Sequence, residues 1–151
     1  MRVFKYHNCN LEENRIDLYY NELDQETDTI IKFLDLYNKT LLGRNEDETR
    51  LIQASDIYYC EIVDRKCFSY LKDSIWQLDV SLQILLNQFS SIGFVRTSKS
   101  MVVNIYKIDR LKSDLNMKVN IVLDNGEIVV LNRTYRNQFY KYLEKMREEK
   151  K

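Results

Sequence analysis

The sequence predicts a mainly β protein, α+β by element count, made of small antiparallel sheets with one central and one C-terminal helix. A short β-β-α module precedes them. Three observations carry this expectation. Short β-branched and aromatic runs recur, Ile57 to Val63, Met117 to Leu123 and Ile128 to Leu131, the composition that fits a pleated, half-buried surface. Turn residues separate them, Asp64-Arg65-Lys66 and Asn125-Gly126. Helical spacing of apolar residues is confined to a few stretches.

In chain order, Val3 to His7 and Arg15 to Tyr20 alternate weakly and predict a hairpin-like pair across the polar turn Asn8 to Asn14. From Asp24 to Tyr37, the residues Ile30, Ile31, Phe33, Leu34 and Tyr37 recur at helical spacing. Asp24 or Thr27 serves as N-cap. Gly43 to Glu48 is acidic and reads as a linker, dividing an extension at 1–48 from a domain at 49–147. After Leu51-Ile52-Gln53 come the strands Ile57 to Val63 and Cys67 to Leu71, joined by the turn at Asp64-Arg65-Lys66. Asp73-Ser74 caps a helix predicted over Ile75 to Phe89, with Ile75, Leu78, Leu82, Leu85, Leu86 and Phe89 as its buried stripe. Gly93 leads into a strand from Phe94.

That strand breaks at Thr97 to Ser100, and Met101-Val102 plants the chain again before Ile105 and Ile108. Ser98 and Lys99 are thereby expected to protrude as a polar, cationic tip. Ile108 to Lys112 and Met117 to Leu123 continue as strands. Asn125-Gly126 favours a two-residue hairpin turn with positive φ at both central residues, and Ile128 to Leu131 returns. A closing helix from about Arg133 to Met146 buries Phe139, Tyr142, Leu143 and Met146, and a charged tail, Arg147 to Lys151, comes last.

Composition bounds the function. Over 151 residues, 44% are apolar and 30% charged, values of a globular chain with a core. No run of about 18 apolar residues offers a membrane span, and the first ten residues lack a secretory h-region. The three cysteines, Cys9, Cys60 and Cys67, are odd in number and show no C-x-x-C spacing, so reduced thiols and a cytoplasmic setting are expected. The net charge of zero is a sum of opposite halves. Residues 1–50 hold 7 Lys+Arg against 11 Asp+Glu, and residues 51–151 hold 16 against 12. A basic back half permits nucleic-acid binding.

Chemistry at a catalytic or metal centre finds little support. His7 is the single histidine, too few for a metal site or a Ser-His or Cys-His nucleophile, and three scattered glycines make no phosphate cradle. No catalytic or metal residue is assigned, and no cofactor or small-molecule substrate is expected. The cations are more telling by position. Arg65 and Lys66 sit at a hairpin tip, Lys99 at another, and Arg133 with Arg136 at a strand-to-helix junction. Such side chains pair with phosphates, and arginine reads guanine O6 and N7.

From Ile57 to Met146 the chain resembles the LytTR-type DNA-binding domain of bacterial response regulators. The residues that carry the resemblance are Phe94-Val95-Arg96, Ser98-Lys99-Ser100, Val102-Val103-Asn104 and Ile108, then Asn125-Gly126, Ile128 to Leu131 and Asn132-Arg133-Thr134-Tyr135. Ser98 stands where the family usually has His, and Asn132 where it has Ser. The resemblance implies a mainly β fold that sends loops into successive major grooves. It also implies DNA contacts from Arg65 and Lys66, from Ser98 and Lys99, and from Arg133. Arg136 is added as a phosphate contact one turn further on, and Asn132 as a contact to a base edge. Many members carry a receiver domain, for which the first 45 or so residues are too short, so the N-terminal module is expected to modify the domain or pair two copies. The expectation is a transcriptional regulator of double-stranded DNA, acting as a homodimer. Some members work with a small membrane protein, and the alternative is a non-catalytic interaction module bound to a membrane or signalling partner.

Overall fold

Neighbouring residues of a strand face opposite ways, so an apolar pair inside one is buried only where both faces are covered. Phe94-Val95 and Val102-Val103 are such pairs, and all four are buried. In a computed structural model that describes residues 1–90 and 93–148, they lie at the junction of two cores. Phe94 and Val102 belong to the first core, Val95 and Val103 to the second.

The elements are α1 (Gln25–Asn38), β1 (Thr40–Asn45), β2 (Glu48–Gln53), β3 (Tyr59–Val63), β4 (Lys66–Tyr70), β5 (Ile75–Leu78), α2 (Leu82–Phe89), β6 (Phe94–Ser98), β7 (Met101–Asn104), β8 (Ile108–Ser113), β9 (Val119–Leu123), β10 (Ile128–Leu131) and α3 (Arg136–Glu148). Among the described residues, a seven-stranded sheet runs β2-β1-β5-β4-β3-β7-β6, and a three-stranded sheet runs β10-β9-β8. All pairings are antiparallel. The first core packs Leu82, Leu85 and Phe89 of α2 against Ile52, Cys60, Trp76 and Leu78 of the large sheet. The second joins Val119, Ile121, Leu123, Val129 and Leu131 of the small sheet to Tyr58, Val95, Val103 and Phe139 of α3. Each fully buried side chain of this size stabilises the fold by roughly 1.5–3 kcal/mol. Asn104, fully buried, joins the layers: its Nδ2 donates to the Ile57 carbonyl at 2.9 Å, and its Oδ1 accepts the Tyr106 N–H at 3.1 Å.

The mainly β, α+β expectation therefore holds, and so do α1 and its cap. The Thr27 side chain first, and then the Thr27 N–H, which donates to Asp24 Oδ1 at 2.8 Å, hold the Asp24 carboxyl below the usual range. Four local expectations are corrected. Val3 to His7 and Arg15 to Tyr20 form no strands; the segment is irregular, and Val3, Phe4, Tyr6, Ile16, Tyr19 and Tyr20 are exposed. A lone hairpin with no further sheet to cover it is barely stable in water.

Gly43 to Glu48, expected as a linker, is the tip of the β1–β2 hairpin, with Glu46 at φ 45° in its turn. Gly43 is there because space is short: a Cβ would meet Ile52 Cδ1 at 2.3 Å and Trp76 Cβ at 2.9 Å. Ile75 to Phe89 is not one helix. Trp76 and Leu78 point inward from β5, and α2 starts afresh at Ser81, whose Oγ accepts the Ile84 N–H at 3.1 Å. Finally, the Asn125-Gly126 hairpin has a three-residue loop. Leu123 N–H bonds the Glu127 carbonyl at 2.9 Å, and only Gly126 takes positive φ. Arg147 and Glu148 of the expected tail continue α3, while residues 149–151 lie outside the described residues.

Candidate nucleic-acid interface

Three cation-bearing segments meet at one end of the large sheet, and backbone hydrogen bonds hold them there. The first is the β3–β4 turn, closed by the Val63–Lys66 pair, with Asp64 at φ 50° and Arg65 at φ 65°. Two left-handed residues in a two-residue loop match the twist of the strands they join. Arg65 and Lys66 are both exposed.

Next to it lies the β6–β7 turn. The Ile62 N–H of β3 donates to the Ser100 carbonyl at 2.8 Å, which joins the two turns directly. A register shift between Arg96 and Ser98 leaves Thr97 as an extra residue. Such a bulge bends the strand and re-aims the side chains beyond it. Thr97 is fully buried, whereas Lys99 and Ser100 are exposed and Ser98 half-buried. Ser98 Oγ accepts the Ser100 N–H at 3.3 Å, which tightens the turn.

The third segment is the β10–α3 junction. Asn132 N–H donates to the Thr97 carbonyl at 2.8 Å, so the junction is fastened to the bulge of the second segment. Asn132 Oδ1 caps a single 3₁₀ turn, Arg133–Tyr135, by accepting the Thr134 N–H at 2.9 Å. That leaves its amide NH₂ as the donor end. Arg133 is exposed. Arg136 is half-buried, and its Nη2 donates to the Met117 carbonyl of the β8–β9 turn at 2.8 Å.

The sequence-predicted residues Arg65, Lys66, Ser98, Lys99, Asn132 and Arg133 are thus brought together, while Arg136 is turned to a neighbouring backbone. Two features escaped the sequence reading. Arg96, quoted only as part of a motif, is the brace of the end: its Nη1 donates to the Lys99 carbonyl at 2.7 Å, and its guanidinium lies 5.9 Å from the centre of the Tyr135 ring. Lys118, exposed, precedes Val119, which pairs with Leu131 beside the junction. The β8–β9 turn therefore shares this end, and pairing the two strands on paper would have found it. Acids near this end are Asp64 within the first turn, Glu61, which pairs with Met101 and accepts the Tyr70 hydroxyl at 3.2 Å, and Asp114, whose carboxylate accepts the Asn116 and Lys118 N–H groups at 2.9 Å each.

Away from this end, Tyr58 donates to Asp124. Burial first, and then this acceptor, push its phenol up to about 12, so it stays neutral. A cleft of about 700 Å³ between α2 and α3 is lined by Arg96, Lys141 and Lys145 with Leu86 and Tyr142, and no carboxylate, histidine or cysteine lines it among the described residues.

A β-rich body that gathers turns bearing cations at one end is the build of a DNA-binding domain, and comparison with known proteins makes the assignment. The family model of the LytTr DNA-binding domain matches residues 47–144, and the chain belongs to that family. It is similar to an HTH-type transcriptional regulator of Staphylococcus aureus (strain NCTC 8325 / PS 47), 25% identical over 137 residues, covering 89% of this chain and 92% of that protein. It is similar also to the sensory transduction protein LytT of Enterococcus faecalis, 23% identical over 96 residues, 64% of this chain but only 40% of that one. Among solved structures, a LytTr DNA-binding domain from Bacillus cereus matches with a TM-score of 0.66 at 24% identity, covering 70% of this chain and 97% of that one, a likeness of fold. The protein is a DNA-binding transcriptional regulator.

Proposed function

We propose that the protein recognises a specific double-stranded sequence by placing the three segments in successive major grooves. Arg65 and Lys66 hold phosphates at one flank, and Lys99, with the Ser98 hydroxyl, reaches the centre. Arg133 reads a guanine edge, and the Asn132 amide lies against a neighbouring base. Arg136 positions the β8–β9 turn rather than meeting the backbone of DNA. No cofactor or catalytic step enters, and the regulator works in the cytoplasm as a homodimer.

The observation that carries this reading is the pair of backbone bonds, Ile62 to Ser100 and Asn132 to Thr97, which fixes the three segments to each other. Cations so fixed lose little freedom on docking, which favours affinity. Selection of bound duplexes from a random library, then salt titration of the best one, tests it. A single enriched motif and a steep log–log salt slope are expected, since every neutralised phosphate releases counterions. No enrichment and no shift at low salt would overturn it.

A second role, as an interaction module, is favoured by the N-terminal segment, whose Val3, Phe4, Tyr6, Ile16, Tyr19 and Tyr20 stand exposed. So many exposed apolar side chains in one short segment offer anchors to a partner that gathers them into a contact surface. We assign them to a protein partner, a membrane protein included, that modulates DNA binding. Removal of residues 1–23 should then leave duplex affinity in vitro unchanged while abolishing regulation in the cell.

A further inference from the structure

The large sheet ends on β2, and among the described residues no strand pairs with its outer side. The β1–β2 ladder determines which groups are left over. The Ala54 N–H donates to the Lys39 carbonyl at 2.8 Å, in register with the Thr40–Gln53 and Leu41–Ile52 pairs. Antiparallel pairs alternate between bonded and unbonded. Glu48, Arg50 and Ile52 therefore exchange bonds with β1, and Thr49, Leu51 and Gln53 turn their N–H and C=O groups outward.

Of the guards that sheet edges ordinarily carry, this edge has charges on its inward face and lacks a bulge or a proline. Its register with β1 is continuous, with no bulge, and the chain contains no proline. The two charges of the strand, Glu48 and Arg50, share the face of the buried Ile52, and the Arg50 guanidinium lies 5.6 Å from the Trp76 ring centre. On the other face, Leu51 is 69% exposed and stands opposite Leu42, which is 55% exposed. An unpaired edge with an apolar side chain at the middle of its other face is a template for another strand.

We propose that β2 pairs antiparallel with β2 of a second copy of the chain, about a two-fold axis through Leu51. Thr49 then faces Gln53, Leu51 faces Leu51 and Gln53 faces Thr49, and each pair exchanges both backbone bonds. Leu42 and Leu51 of one copy continue into Leu51 and Leu42 of the other as one apolar row. The polar–apolar–polar order around Leu51 reads the same from either copy, which is what an isologous contact needs. In the neighbouring register, with the axis at Arg50, Leu51 faces Thr49 and the two Arg50 side chains stand opposite each other, like charge against like charge.

A single strand pair sits below the roughly 1,200 Å² of total area that stable complexes bury. The dimer accordingly forms at high concentration, and two adjacent sites on DNA lower the concentration it needs. The axis relates the two sets of DNA-contacting turns, so the half-sites they meet are inverted. The help from adjacent sites and the inversion of half-sites rest on the DNA reading, and the strand pairing itself does not.

Sedimentation equilibrium of the full chain from micromolar to millimolar is the primary test, with Leu51→Lys and Leu51→Pro as variants. The lysine sets like charges face to face, and the proline removes an outward N–H without touching the β1 ladder. The parent should associate, and both variants should weaken association at least tenfold while keeping the parental circular dichroism. A nitroxide on Leu51→Cys in a Cys9→Ser background should report a label on the second copy at close range. A parent monomeric throughout the range, or a Leu51→Lys variant that associates as well as the parent, overturns the proposal. A chain that dimerises through Leu51 yet binds no duplex leaves it standing and removes the DNA reading instead.

Discussion

Replacing Arg65 by glycine should make the protein more stable and bind DNA less well. At φ 65° the Arg65 Cβ crowds its own backbone, which costs roughly 1–2 kcal/mol for an L residue. Glycine escapes that cost, but its freer unfolded chain offsets about 0.4–1 kcal/mol of the gain. The net expectation for Arg65→Gly is about 0.5–1 kcal/mol of added stability, a rise in Tm of about 1–4 °C at this chain length. Loss of one phosphate contact should lower the log–log salt slope by about 0.9 and weaken all duplexes alike. Thermal melts by circular dichroism and anisotropy titrations across a potassium chloride series read the two quantities separately. Asp64→Gly, which relieves φ 50° in the same turn and removes an acid, should also raise Tm but strengthen binding. A fall in Tm for Arg65→Gly would refute the strain argument, and an unchanged salt slope would remove Arg65 from the interface.

Other substitutions separate reading from holding. Arg133→Ala should cost roughly 1–3 kcal/mol on the best duplex and blur preference at one base position, whereas Lys66→Ala should weaken all sequences equally; selection with each variant distinguishes them. Asn104→Ala should lower stability by about 1–3 kcal/mol in urea titrations, because the buried Ile57 carbonyl and Tyr106 N–H lose their partner. With Cys9 exposed and Cys60 and Cys67 buried, one thiol should react promptly with a disulfide reagent, and the other two only on unfolding; three prompt thiols would contradict the packing of the first core.

Much of this architecture is legible in the residues. The alternation of Val119, Ile121 and Leu123 and the apolar pairs at 94–95 and 102–103 fix strands and their burial, because period and side-chain volume are local properties. What the residues hide is tertiary. Gly43 looks like a chain breaker and is a packing hole for Ile52 and Trp76. Ile75, Leu78 and Leu82 satisfy a helical period by coincidence, and only Ser81 between them signals a new start. The two hairpins invert expectation: Asn125-Gly126 has the side chains of a primed turn and takes a longer loop, while Asp64-Arg65 adopts left-handed backbone at both positions without a glycine. The positions of Arg65, Lys99 and Arg133 in turns could be read from sequence. That they share one side follows from the family resemblance, but the contacts that hold them there could not be read, because Ile62 and Ser100, or Thr97 and Asn132, are brought together only by strand order.

Strand order also explains why the cationic end holds its shape. A turn at the end of a two-stranded ribbon swings freely, since nothing covers its faces. β6 and β7 are instead covered on both sides, Phe94 and Val102 by α2 and Val95 and Val103 by the small sheet. Their turn emerges from a clamped root. Arg96, at the edge of that root, carries the clamp outward by bonding the Lys99 carbonyl and lying against Tyr135, which places the second and third segments under one side chain. Lysine at this position would keep the charge but lose the planar fork that bonds a carbonyl while lying against a ring. Arg96→Lys should therefore weaken duplex binding even though the residue need not touch DNA, and hydrogen exchange at Ser100 and Thr134 should quicken together. Exchange that quickened at one and not the other would mean that the segments move independently, and that the end is not one rigid surface.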